Sequence, residues 1–311
     1  MENSNVVVDL KAVKKVPHVI DFKFVDPIAA AHNARIEIPM LIKGLKRGTV
    51  GVLAGQGGIG KSTLILGLAY GLAHPDLDVF GMSESKEIRR VMILSAEDDA
   101  DIVSNKMKDF DTLHKLDGRK RQLAKDSVFI TADRDLMKKI SDPEWMANLK
   151  KTLEELKIDL IVFDTYSVFG GVENENDNAE AAAIINVINK DLIASTQLSV
   201  LLIHHTNNEG NIRGAKALKD NTRVTYIVRK PTEDEAENLE AAGLDPTDYA
   251  NFGIIKSNYA RSGSLCWLKM SATGIFMLAD EDAVEAINKK DDEKSSGSKK
   301  SKKGRSHGEK F

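Results

Sequence analysis

The chain has 311 residues, enough for one large α/β domain or two smaller ones. With 42% hydrophobic and 29% charged residues it lies far from the disordered class, and its net charge of −3 excludes a global electrostatic pull toward nucleic acid. One cysteine, Cys266, excludes an internal disulfide and reads as a small hydrophobe within Leu265-Cys266-Trp267-Leu268.

Residues 1–16 are polar with short apolar interruptions and read as a loose lead-in. Pro17 to Arg47 carries Ile20, Phe22, Phe24 and Val25, then Ile28-Ala29-Ala30-Ala31, the pattern of an arm or a short strand and helix ahead of a core. The start, Met1-Glu2-Asn3-Ser4, lacks the basic lead and apolar core of a signal peptide. The apolar stretches around 64–73 and 198–203 fall short of the roughly 18 residues that a membrane span needs. The expectation is a soluble, cytoplasmic protein without a membrane partner.

Strand and helix patterns then alternate. Thr49–Ala54 is an apolar run for a buried strand, and Thr63–Tyr70 reads as a helix. Arg90–Ser95 predicts a second strand, and Asp98 to about His114 a helix with Ile102, Val103, Met107 and Phe110 at helical spacing. Ser127–Ile130 is a third strand. Asp142-Pro143-Glu144 starts a helix with a capping aspartate and a first-turn proline, and that helix runs to about Lys157. Leu160–Asp164 is a fourth strand. Asn176-Asp177-Asn178 can cap a helix whose Ile184, Ile185, Ile188 and Leu192 share a face, and Leu198–His204 is a fifth strand.

Past Thr222 the pattern becomes short strands with turns, at Val224–Val228, Phe252–Ser257, Leu265–Met270 and Ile275–Leu278, with a helix near Asp234–Ala242. This predicts an antiparallel extension of the same sheet. From Lys289 onward Lys, Ser, Gly and Asp dominate and no apolar residue precedes Phe311, so no core can form there. The tail reads either as a solvated segment or as a basic arm that holds nucleic acid non-specifically. The expected organisation is therefore an arm over 1–35, an α/β domain over 36–288 with a mainly parallel sheet covered on both faces, and a basic tail over 289–311.

The chemistry is concentrated in Gly55-Gln56-Gly57-Gly58-Ile59-Gly60-Lys61-Ser62, which has the G-x-x-x-x-G-K-[ST] spacing of a phosphate-binding loop. Its glycines let successive backbone N–H groups turn inward around a phosphate. Lys61 reaches the β- and γ-phosphates, the Ser62 hydroxyl ligates Mg²⁺, and the helix entered through Thr63 presents its positive end to the anion. The apolar strand ending in Asp164 has the form of a Walker B element, whose aspartate holds Mg²⁺. Thr165, not Glu, follows Asp164. The candidate for orienting and deprotonating the attacking water is thus Glu97, in Leu94-Ser95-Ala96-Glu97-Asp98-Asp99 at the end of the second strand. Asp98 and Asp99 read as capping and surface charges.

These motifs, with Pro39–Gly44 leading into Gly48-Thr49-Val50-Gly51, Val162–Thr165, His204-His205, Arg213-Gly214, Asp220-Asn221-Thr222-Arg223 and Lys256-Ser257-Asn258-Tyr259, resemble the RepA branch of RecA-like ATPases over roughly residues 36–270. The resemblance implies a RecA-like P-loop fold, ATP and Mg²⁺ as substrate and cofactor, a homohexameric ring, and single-stranded DNA as partner of a replicative helicase. It implies a catalytic role for Glu97 and a Walker B role for Asp164. His204 and His205 fall at the γ-phosphate sensor position, and Arg223 matches an arginine finger reaching into the neighbouring subunit, with Arg213 the runner-up. Lys256 is a further candidate to approach the neighbour's nucleotide.

DNA contact in such rings comes from loops after the fourth and fifth strands. The first candidate, Gly170–Asp177, is acidic; the second, Asn207 to Lys219, carries Arg213, Lys216 and Lys219 but no aromatic platform for bases. Two alternatives stand beside the helicase reading. One is an ATP-regulated scaffold or binding protein without unwinding activity. The other is a P-loop kinase, for which no arginine-rich lid is evident.

Overall fold

The computed structural model describes residues 37–171, 177–206 and 216–289. The chain divides into two compact units, Met1–Ile38 and Pro39–Phe311, and every element described below belongs to the second. The expected arm over 1–35, the tail beyond Lys289, Arg213 and the segments 172–176 and 207–215 lie outside the described residues.

A short hairpin of β1 (Met40–Ile42) and β2 (Leu45–Lys46) leads into β3 (Val50–Gly55). Helix α1 (Lys61–Ala73) follows, then β4 (Val91–Ser95), α2 (Ala100–Leu113), α3 (Gly118–Ser127) and β5 (Val128–Thr131). Next come α4 (Pro143–Glu155), β6 (Leu160–Asp164), the single-turn α5 (Tyr166–Gly170), α6 (Asn178–Val187) and β7 (Ser199–His205). Between α6 and β7 the helix widens into a π segment over Ile188–Ile193. The last third holds α7 (Lys216–Asn221), β8 (Val224–Arg229), α8 (Glu233–Ala241), β9 (Tyr249–Ser257), β10 (Gly263–Met270), β11 (Phe276–Leu278) and α9 (Glu281–Ile287).

Strands β3 to β11 form one nine-stranded sheet in the order β11-β10-β9-β8-β3-β7-β6-β4-β5. The six strands from β8 to β5 run parallel, and β9, β10 and β11 add antiparallel partners beyond β8. The expected antiparallel extension therefore begins one strand later than the sequence suggested. β8 pairs in parallel with β3, because α7 ends beside the start of β3 and feeds β8 in the same direction.

Burial follows the two-residue period of a strand. Leu53 of β3, Leu160 and Val162 of β6, and Leu201 and Ile203 of β7 enter the core shared with α1, on one face of the sheet. Val50, Val52, Ile161, Phe163, Val200 and Leu202 enter the core under α4 and α6 on the other. Covered on both faces, the parallel strands read as unbroken apolar runs. Helix α1 is buried on nearly every side, which explains its largely apolar composition after Thr63. A smaller cluster of Leu239, Tyr249, Trp267, Ala283 and Ile287 seats α8 and α9. Among the described residues no helix is long and apolar enough to cross a membrane. Cys266 is partly buried and unpaired, and burial pushes its thiol up to about 12, in keeping with a packing role.

Candidate active site

The glycine loop joins the carboxyl end of β3, the middle strand of the nine, to the start of α1. Gly60 takes the left-handed conformation (φ 94°) as the residue that caps α1. A Cβ there would stand 2.5 Å from the Phe276 ring of β11. By contrast, Cβ atoms at Gly57 and Gly58 would meet nothing within 4 Å, so the loop's crown is an open cup. No side chain caps α1 and its first turn holds no acidic residue, which leaves its N–H groups and positive end for an anion. The Thr63 hydroxyl donates back to the Gly60 carbonyl at 2.9 Å, bracing the turn. Replacing Gly60 with alanine is expected to cost about 2–4 kcal/mol, combining positive-φ strain with overpacking against Phe276, and urea unfolding reads it. A loss under about 0.5 kcal/mol would show that the ring is free to move aside.

Lys61 is 7% exposed and its ammonium uses all three donors: the Gly55 carbonyl at 3.0 Å, the Gln56 carbonyl at 2.9 Å, and Nδ1 of His205 at 3.3 Å. Burial lowers its pKa, while Asp164 and Glu97 act in the opposite direction. A phosphate offers this desolvated cation a charged acceptor in place of two neutral carbonyls, which is the physical basis of an anion site here.

Ser62 donates to Oδ2 of Asp164 at 3.0 Å. Asp164 closes β6 at 3% exposure, and its carboxyl is pushed up to about 6, chiefly by burial and further by Glu97 and Asp98, against the opposing Ser62 hydrogen bond and Lys61 charge. A buried strand-end carboxyl beside a hydroxyl, its charged form disfavoured chiefly by burial, is a hard-oxygen donor pair that fits Mg²⁺. The peptide bond from Asp164 to Thr165 is cis.

Glu97 follows β4, which lies next to β6 in the sheet. Its Oε1 accepts from the Thr165 hydroxyl at 3.2 Å and faces Nε2 of His205 at 3.3 Å, while the side chain stays 47% exposed. Because the Lys61 ammonium can only donate, Nδ1 of His205 is the acceptor of that contact, and Nε2 is the atom that faces the Glu97 carboxylate. A continuous chain thus runs from Lys61 through His205 to Glu97. The turn bearing Glu97 is held from outside: Arg134 donates to the Glu97 carbonyl at 2.8 Å and pairs with Asp99 at 3.1 Å. Asp99 stands at the cap position of α2 but makes no capping hydrogen bond, and Asp98 pairs with Lys106.

The structure brings together Gly55, Gln56, Gly57, Gly58, Ile59, Gly60, Lys61, Ser62, Thr63, Asp164 and Glu97 at the carboxyl edge of the sheet, where ligands of open α/β sheets bind. Of the histidine pair, His205 faces this edge, whereas His204 is buried on the opposite face with its ring edge-on to Tyr166 at 5.4 Å. Arg223 is exposed just before β8; its N–H donates to the Val50 carbonyl and its own carbonyl accepts from Asn258. That places it at the amino end of the strands. Five residue steps along β3 separate Val50 from Gly55, roughly 16 Å at about 3.3 Å per residue, so Arg223 cannot serve the site of its own chain. Thr165 and Arg134 contribute contacts that sequence reasoning did not assign. A hydroxyl directly after the Walker B aspartate was the available signal for Thr165, and none existed for Arg134.

A glycine loop entering a buried helix from the central strand, with a lysine, a hydroxyl and a strand-end carboxylate converging on it, defines a P-loop ATPase. The sequence model of the AAA domain family matches residues 17–211, more than half of the chain. The protein belongs to that family, and its domain is an ATP-binding, ATP-hydrolysing RecA-like unit of α/β architecture.

Proposed function

We propose that the protein is the subunit of a RepA-type ring that hydrolyses ATP at its subunit interfaces and acts on DNA as a replicative helicase. The observation that carries this reading is the position of Glu97, two residues past the end of β4, beside the strand β6 that ends in Asp164, with its carboxylate in contact with Thr165 and His205. This is the RecA-like placement of the catalytic glutamate, one strand away from the Walker B aspartate. The remoteness of Arg223 from its own glycine loop supports a site completed by the next subunit.

In this reading the loop N–H groups and Lys61 bind the triphosphate, and Ser62 with Asp164 hold Mg²⁺, which supplies positive charge to the phosphoryl oxygens when bound. Glu97 accepts a proton from water as the water oxygen attacks the γ-phosphorus and the bond to the β-phosphate oxygen breaks, releasing ADP and phosphate. Arg223 of the neighbour stabilises charge on the transferring group. His205, bridging Lys61 and Glu97, is placed to sense whether Lys61 is engaged by phosphate.

The reading is tested by the ATPase rate with and without single-stranded DNA, the native mass, and unwinding of a forked duplex. A hexamer whose turnover rises at least severalfold with single-stranded DNA and which separates the fork is expected. The acidic composition of Gly170–Asp177 favours one rival, an ATP-regulated scaffold. Turnover indifferent to DNA, with no unwinding, decides for that rival.

A further inference from the structure

Lys256 lies in β9 directly across from Thr225, two residues beyond Arg223. Its register is set by a bulge. Thr225 pairs with Lys256 but Tyr226 pairs with Ile254, so Ile255 is the extra residue and turns out to solvent. Bulges of this kind re-aim the side chains beside them. Lys256 is re-aimed at the end of α7, where its ammonium donates to the carbonyls of Lys219 at 2.6 Å, Asp220 at 2.9 Å and Thr222 at 2.9 Å. Those carbonyls have no further helical turn to bond, and a cation there also meets the negative end of the helix. The buried Thr222 hydroxyl ties the same turn to Leu218.

All three donors of Lys256 are therefore spent on the backbone immediately before Arg223. Burial lowers the Lys256 pKa; the Asp220 charge opposes this, and the Arg223 and Lys219 charges act with it. The backbone of Arg223 is pinned between Val50 and Asn258, which leaves its exposed side chain as the part free to respond.

We propose that Lys256 is a positioning residue for Arg223: it locks the α7–β8 turn through three backbone carbonyls and so fixes the point from which Arg223 extends, without itself touching nucleotide. This inference rests on the reading of Arg223 as the residue supplied to the neighbour's site. It is the alternative to direct approach of Lys256 to that neighbour's nucleotide, which would require the ammonium to give up its carbonyl acceptors and release the turn before Arg223.

A double-mutant cycle on full-length protein tests it, using steady-state ATP turnover and the affinity for a non-hydrolysable ATP analogue. Lys256→Met is expected to lower kcat about tenfold with KM and analogue affinity unchanged, and Lys256→Arg to recover most of the loss. Unchanged analogue affinity also shows that the variant is folded, since the chain's own glycine loop lies at the other end of the sheet. Combined with Arg223→Ala, Lys256→Met should add less than a twofold further loss, because a residue acting through Arg223 has nothing left to position. A further tenfold loss in the double variant, or weakened analogue binding by Lys256→Met alone, overturns the proposal in favour of direct contact. Wild-type turnover in Lys256→Met beside an inactive Arg223→Ala overturns it as well. Wild-type turnover in Arg223→Ala sinks instead the reading on which it rests.

Discussion

Lys61→Met is expected to lower ATP turnover by about three orders of magnitude while leaving the fold intact. The substitution keeps the apolar stem that packs at the root of the loop and deletes the ammonium held by Gly55, Gln56 and His205. In the proposed mechanism that ammonium engages the β- and γ-phosphate oxygens, so its loss falls on both binding and the transition state. Stability should hold or rise slightly, because a desolvated cation lying against neutral carbonyls gives way to an apolar side chain. Phosphate release read beside thermal unfolding separates the two effects. Turnover within tenfold of wild type would remove Lys61 from the machinery.

Arg223→Ala is expected to lower kcat by about 10³, the lower range for an arginine finger, with little change in nucleotide affinity. The residue sits at the amino end of β8, roughly 16 Å of strand from the glycine loop of its own chain. An effect on turnover of that size has no route within one subunit, so it reports the neighbour's site. The loss should appear in kcat because an arginine aimed at developing charge acts in the transition state more than in the bound ground state. Wild-type kcat for this variant would leave Arg213 as the remaining arginine proposed for the role.

Much of this arrangement was legible from residue order, for physical reasons. The parallel core was readable because strands covered on both faces are continuous apolar runs, and Asp142 and Asp177 announced α4 and α6 by capping them as expected. Parity along the strands also carries the placement of the two histidines. Ile203 faces α1, so the two-residue period puts His205 on the α1 side and His204 behind the sheet beside Tyr166. The same parity turns Asp164, two residues past Val162, toward Ser62.

Other features had little or no local signal. Helix α3, Gly-Arg-Lys-Arg-Gln-Leu-Ala-Lys-Asp-Ser, has too few apolar residues to show a period and is set by the Asp117 cap and the packing of Ala124. The π segment at Ile188–Ile193 continues a helical pattern in sequence. The parallel direction of β8 depends on where α7 ends. The bulge at Ile255 depends on cross-strand register, and the clamp of Arg134 on the Glu97 turn joins residues 37 apart. Long-range contacts of this kind arise only when the sheet is assembled.

The central claim is an active site divided between subunits, with Lys61, Glu97 and Asp164 from one and Arg223 from the next. Mixing Lys61→Met with Arg223→Ala protein, each inactive alone, and measuring ATP turnover after subunit exchange tests it most directly. A divided site predicts that turnover returns to a clear fraction of wild type, because some interfaces then pair an intact glycine loop with an intact arginine. Mixtures that exchange subunits and remain as inactive as their parents would contradict it.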